Sequence, residues 1–295
     1  MAIDLVMPCR WLFLRATTMA ARLCSTGSSF PAGRRSTIKK PAVRARANTA
    51  LSMENKTHWP NLKQGSEEWL QLRQRCGVTG SRLACVLGLG YLSRNAYMRL
   101  KLGVDPPPEV NDLMRFGTDN EDYVCDLYLN WMLENNQPIE LIEDGFKLCP
   151  DDLRSGASVD RLVRNTETGE MWILEIKCKP KGNVRDSVPI SHLLQCIFNA
   201  VCHGASFADY CSWSPEVEKM FISRIHFNKE HLWDNFLLPR VRVFNDMWER
   251  KEYYPRMKRG EAKSNEDVVR ALSTTSPIIS FAEDSIGGNG CSNAK

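Results

Sequence analysis

Two runs within residues 154–179, RSGASVDRLV and MWILEIKCK, constrain the fold of this chain more than any other stretch. Both are rich in β-formers, and the intervening NTETG is turn-forming, so together they read as a β-hairpin. Side chains alternate faces along a strand, which sends Ile173, Glu175 and Lys177 one way and Trp172, Leu174 and Ile176 the other. The even-numbered apolar set demands a core. The opposite face is left with a carboxylate and an ammonium two residues apart, and Asp160 is within reach on the partner strand. Two carboxylates beside a lysine suit hydrolysis of a phosphodiester by water activated at Mg²⁺.

Helices surround this hairpin. Ser66 is an N-cap signal with Glu67 and Glu68 in the first turn, followed by Trp69, Leu70 and Arg73 at helical spacing. After a break at Cys76 and Gly77, Gly80 and Ser81 open a second helix, where free backbone N–H groups favour a phosphate. A third helix starts after Ser93 and stops at Gly103. Thr118 and Glu121 match a capping box, which predicts a helix start there and gives Glu121 a role in the cap, a metal site or both. Residues 141–148 read as one strand leading into the hairpin. A helix from Ser191 to Gly204 is apolar around most of its circumference, so Gln195 must find partners inside. His192, Cys196, Asn199 and His203 share one stripe of it, read as satisfied core residues rather than metal ligands. Residues 208–214 and 220–227 read as strands, and a last helix over 230–251 is expected to kink at Pro239. The order predicts an α/β (α+β) fold, a mixed central β-sheet flanked by helices.

Composition sets limits on partners. Residues 1–53 hold nine Lys or Arg and one acid, while the remainder carries 30 basic and 34 acidic groups, so a polyanion site must be a local patch on a mildly acidic body. The Arg-rich, acid-poor first 53 residues fit an organellar presequence, chloroplast or mitochondrion, with a basic tail as the other reading and nucleus or cytoplasm as the alternative compartment. No apolar run is long enough to span a bilayer, so no membrane partner is expected. Eleven cysteines without C-x-x-C pairs are read as free core thiols. The domain layout is therefore a presequence over 1–53, a folded domain over 54–256, and a polar, disordered tail over 257–295.

The set D-(x14)-E-x-K, with a preceding helix bearing Glu and a following helix bearing Gln, resembles the PD-(D/E)XK nucleases, in the branch of the phage lambda exonuclease and the YqaJ-type viral recombinases. The matching segments are GSEEWLQLRQRCGVTGSRL, FGTDNE, SGASVD, LEIKC and HLLQ, in the family's order over roughly residues 65–248. The resemblance implies a restriction-endonuclease-like core with Asp160, Glu175 and Lys177 catalytic, and Glu121 and Gln195 lining the site. Mg²⁺, with Mn²⁺ as a substitute, would be held by Asp160, Glu175, the Ile176 carbonyl and Glu121. Arg73 and Ser81 would take the DNA 5′-phosphate, with Arg75 as the alternative because the spacing to Thr79 is one residue longer than in the phage pattern. Two further departures are Arg161 where the family often has Gly, and His192 and Ile197 in place of a Tyr and a second Gln.

The implied function is a Mg²⁺-dependent DNA exonuclease acting on duplex ends, 5′ to 3′, in organellar repair or recombination. A homotrimer and a single-strand annealing partner follow from the same resemblance. The alternatives are an inactive nuclease fold that holds DNA ends and a structure-specific endonuclease. An iron–sulfur nuclease is disfavoured by the cysteine spacings.

Overall fold

In the computed structural model of the chain, residues 56–181, 187–216, 219–255, 267 and 269–272 are described. The expected presequence lies outside them, as does most of the expected tail. The elements in order are β1 (His58–Trp59), α1 (Glu67–Arg75), β2 (Val78–Thr79), a 3₁₀ turn (Gly80–Arg82), α2 (Leu83–Val86), α3 (Arg94–Lys101) and α4 (Asp112–Glu134). They continue with β3 (Ile139–Ile142), β4 (Phe146–Cys149), β5 (Asp152–Ala157), β6 (Arg161–Asn165), β7 (Met171–Cys178), α5 (Ile190–His203), β8 (Phe207–Ser214) and β9 (Lys219–His226). A π-helical stretch (Lys229–Leu237) and α6 (Leu238–Glu249) follow.

The strands form two mixed sheets, ordered β1-β4-β5-β2 and β3-β6-β7-β8-β9. The hairpin is present as β6 and β7, antiparallel, with Arg161 opposite Leu174. Strand β8 runs parallel to β7, and α5 makes the crossover that a parallel pair requires. The alternation along β7 holds, but both faces are buried. Trp172, Leu174 and Ile176 pack with Val124, Tyr128 and Met132 of α4, while Ile173 packs with Leu194, Ile197 and Phe198 of α5. The Glu175 face is thus an interior, not a solvent face.

Four local expectations are corrected. The RSGASVDRLV run is two strands in different sheets, because Ser158 to Asp160 turn between them. Residues 141–148 likewise break at Asp144 and Gly145: Asp144 bonds His58 (2.5 Å) and His203 (2.8 Å), and a Cβ on Gly145 would lie 1.9 Å from the Trp59 carbonyl oxygen. The Thr118 and Glu121 capping box does not form, since Asn111 caps α4 and Thr118 sits in mid-helix, its hydroxyl donating to the Met114 carbonyl at 3.2 Å. Pro239 does not fall inside one long α-helix. It occupies the first turn of α6, where its missing N–H costs nothing, after the π-helical stretch. In the segment expected as a tail, Leu272 is 6% exposed in the main core, so the fold reaches past residue 256. Among the described residues no helix is long and apolar enough to cross a membrane, and the described cysteines are free, all buried except the partly buried Cys178.

Asp152, at the start of β5, ties that strand to α6. It accepts from Arg154 through two nitrogens (2.8 and 2.9 Å) and from Asn245 (3.0 Å). Burial alone would raise its carboxyl, but Arg154 and Asn245 outweigh it and hold the group below its ordinary range. A depressed folded-state value means a contribution fully present above the unfolded value and lost as pH falls through the folded one. Asp152→Asn is therefore expected to lower stability by ~2–3 kcal/mol at pH 7. In urea unfolding the gap to wild type should narrow at pH 3; an equal gap at both pH values would refute this account of Asp152.

Candidate active site

Glu175 is the centre of the site. It is 1% exposed, and its carboxylate is held from three directions. The Lys177 ammonium and Gln195 Nε2 (2.5 Å) donate to one oxygen, and Asn199 Nδ2 (3.0 Å) donates to the other. Gln195 and Asn199 are four residues apart on α5, hence on one face, which is the face turned to β7. Asp160 arrives from the adjacent strand. The register that sets Arg161 against Leu174 carries Asp160 past Glu175, where its Oδ2 accepts from the Ile176 N–H at 2.6 Å. The Ile176 carbonyl accepts from Lys177 at 3.2 Å.

Charge accounts for the titration behaviour. Burial, then the Asp160 carboxylate, pushes Glu175 up to about 7, against the pull of Lys177 and Asn199. Glu121, on the third turn of α4, is also pushed up to about 7 by burial and then Asp160, with Arg161 opposing. Lys177 is raised, because Glu175 and Asp160 outweigh the burial that would lower it, so it stays cationic at neutral pH.

The carboxylates of Asp160 just before β6, Glu175 on β7 and Glu121 on α4 thus share one locus, and the Asp160 charge raises the cost of ionising the other two. Among the described residues no three His, Cys, Asp or Glu side chains form a ready-made metal cage. The donor set nevertheless fits Mg²⁺ or Mn²⁺. It is all oxygen, and Mg²⁺ is commonly bound through one or two carboxylates with water filling the remaining positions. Asp160, Glu175 and the Ile176 carbonyl are the groups that would hold it.

The phosphate candidates meet one another. Arg73 in the last turn of α1 donates to Ser81 Oγ at 3.1 Å, and its guanidinium lies 4.3 Å from the centre of the Trp69 ring. Burial lowers Arg73, Arg82 repels it, and the Glu175 charge reaches it across the site. Lys101 completes the end of α1 by donating to the Gln74 (2.9 Å) and Arg73 (3.3 Å) carbonyls. Arg75 is exposed, two residues beyond Arg73 on the same helix.

The stripe on α5 is no shared site. His192 bonds Tyr210 (3.1 Å), Cys196 is buried, His203 bonds Asp144, and Asn199 serves Glu175. Asn199, expected as a satisfied core residue, thus touches the central carboxylate. Its signal was a buried amide one turn past Gln195, which must find a polar partner. Arg161 is the other residue whose part was not foreseen. It donates to Glu121 (3.1 Å), to the Asp160 carbonyl (2.5 Å) and to Asp122 (2.5 Å).

Residues 68–206 match the family described as the YqaJ-like viral recombinase domain. Every candidate site residue, from Arg73 to Gln195, falls within that span. Among curated proteins none matches the chain. The chain is similar to the alkaline exonuclease LHK-Exo from Laribacter hongkongensis at 23% identity, with 71% of this chain and 99% of that one covered and a TM-score of 0.49. The structure of LHK-Exo in complex with dAMP gives 23% identity over 71% and 100%, with a TM-score of 0.45.

Gly80 lets α5 approach: a Cβ there would lie 2.0 Å from Asn199 Oδ1. Gly80→Ala must push the Asn199 amide away from Glu175, and is expected to cost ~1–3 kcal/mol. In an Asn199→Ala background the same substitution should cost less than half as much, since the clash partner is gone. Equal costs in both backgrounds, measured by urea unfolding, would mean that Gly80 acts independently of Asn199.

Proposed function

Because residues 68–206 match the family described as the YqaJ-like viral recombinase domain, we propose that the chain is a Mg²⁺-dependent deoxyribonuclease that hydrolyses phosphodiester bonds from duplex DNA ends, 5′ to 3′, in recombination and repair. The observation that carries this reading is the open end of the β6–β7 hairpin, where Asp160 is fixed by the Ile176 N–H and the buried Glu175 by Lys177, Gln195 and Asn199.

Bound Mg²⁺ would supply positive charge to the phosphate oxygens and lower the pKa of water. The protein does the rest by position. Glu175 presents its oxygens from β7 and Asp160 from the residue before β6, tied to the Ile176 N–H, so little reorganisation is needed at the moment of reaction. Lys177 is held beside Glu175 and the Ile176 carbonyl as a cation. A lysine that keeps its proton is not a base, so of the two roles open to it, orienting the attacking water and offsetting the charge of the pentavalent phosphoryl transition state is the one its surroundings favour. Gln195 and Asn199 donate to Glu175 and fix its rotamer, the part that groups behind a metal ligand play in orienting it. At the other end, Arg73 and Ser81 form a joined donor pair suited to a terminal phosphate.

The Arg-rich first 53 residues motivate an organellar location, and a homotrimer and a single-strand annealing partner belong to the same reading. The decisive assay is degradation of linear and circular duplex DNA by the full chain with Mg²⁺. Linear DNA with 5′-phosphates should be consumed and circular DNA spared, and Glu175→Gln and Lys177→Ala should each lose at least ~10²-fold in rate. Intact linear DNA, with ends still bound, would favour a binding module; cleaved circles would favour an endonuclease. For the anchor, Arg73→Gln and Ser81→Ala should erase most of an ~10-fold preference for 5′-phosphate over 5′-hydroxyl ends. Wild-type indifference to the phosphate would remove that role.

A further inference from the structure

The residue after Asp160 is an arginine whose side chain is 13% exposed and turned inward to the acidic cluster. Its Nη1 donates to Glu121 Oε1 at 3.1 Å and to the Asp160 carbonyl at 2.5 Å, and its Nη2 donates to Asp122 Oδ1 at 2.5 Å. Arg161 is the first residue of β6, paired with Leu174, so the sheet fixes where its side chain begins. A guanidinium keeps its charge throughout the physiological range, and it presents its donors in a fixed fork.

We propose that Arg161 is a built-in cation that neutralises Glu121 and limits the site to one divalent ion, held by Asp160 and Glu175. This rests on the metal-dependent reading above and specifies how many ions it takes. Three carboxylates define the locus, and two of them already have a cationic partner: Glu175 has Lys177 and Glu121 has Arg161. The locus is left with a single uncompensated negative charge. Asp122, 91% exposed, and the exposed Glu143 balance Arg161 from outside and are solvated. One divalent ion turns that locus modestly positive, which suits an anionic phosphate. A second would concentrate excess positive charge at a Glu121 already bonded to a guanidinium, so two bound cations would compete for the same carboxylate. Arg161 therefore supplies as a side chain the charge that a second ion would otherwise bring.

Ion stoichiometry tests this without any measurement of activity. Full-length protein is titrated with Mn²⁺ alone by calorimetry, as wild type, Arg161→Gln, Arg161→Lys and the double variant Arg161→Gln/Glu121→Gln. The expected result is one ion for wild type and for Arg161→Lys, which keeps a charge beside Glu121. Arg161→Gln should take a second ion, and the double variant should lose it again. A purely structural tie between β6 and α4 would lower the melting temperature of Arg161→Gln and leave the ion count at one, which overturns the proposal. Two ions on wild type would overturn it while leaving the metal-dependent nuclease intact. No ion on wild type would sink both. Should Arg161→Gln fail to fold, Arg161→Met takes its place with the same two readings: a second ion supports the proposal, and one ion overturns it.

Discussion

The burial of one ionisable group, Glu175, governs much of this structure. A carboxylate at 1% exposure cannot keep its charge in an apolar interior without donors, and α5 brings two of them at a spacing of four residues. That requirement explains why a helix otherwise apolar carries Gln195 and Asn199 on the face turned to β7. It also explains why Gly80 lies where it does, because a side chain there would displace the Asn199 amide. Lys177 completes the set from two residues along the same strand, on the same face as Glu175. The carboxyl is still pushed up, since burial and Asp160 together exceed what these donors return. The site is in that sense incomplete in charge, and a divalent cation is the partner its oxygens suit.

The hairpin, the cap at Ser66, the helix start after Ser93, the helix over 191–204 and the strand that follows it were legible because each depends on local pattern; that this strand runs parallel to β7 was not. What was not legible depended on distant contacts. Nothing local in RSGASVDRLV marks the turn from one sheet into the other; it follows from β5 pairing with β2 and β4 while β6 pairs with β3 and β7. The T-x-x-E signal failed for a similar reason. Asn111 provides an earlier cap, and the apolar residues of α4 packed on the five-stranded sheet carry the helix through Gly117 and Thr118. Asp160, Glu175 and Lys177 are brought together by strand alternation, and Gln195 is placed in the site by the resemblance alone; all four meet at one locus. Asn199 and Arg161 were not given their parts, because an amide or a guanidinium declares its partner only when the fold supplies it.

The arginine after Asp160 decides what the acidic cluster is. With glycine there, Glu121 would face solvent and whatever ion the site held. With arginine it is paired through a guanidinium that also grips the backbone of Asp160 itself. The same side chain therefore adjusts the charge of the cluster and stiffens the strand end that presents Asp160. These two effects act at different distances, one through the electrostatic field and one through a direct bond.

The phosphate candidates and the carboxylates are joined by a short chain of contacts. Ser81 accepts from Arg73, and its neighbour Gly80 packs against the Asn199 amide, whose nitrogen holds Glu175. On the proposed function, two bonded contacts and one close approach would set the position of a terminal phosphate relative to the bond to be cut. None of the three involves a long flexible side chain reaching alone into solvent: Arg73 is stacked on Trp69 and partly buried, and Asn199 is fully buried. An end-directed nuclease needs the distance between its stop and its cutting group to be fixed to within a fraction of a nucleotide, because an error there moves cleavage to the wrong linkage. In this chain, on that reading, the distance would be set by backbone at Gly80 and by a helix face, so the measuring would fall to the fold and the chemistry to the strand end at Glu175 and Lys177.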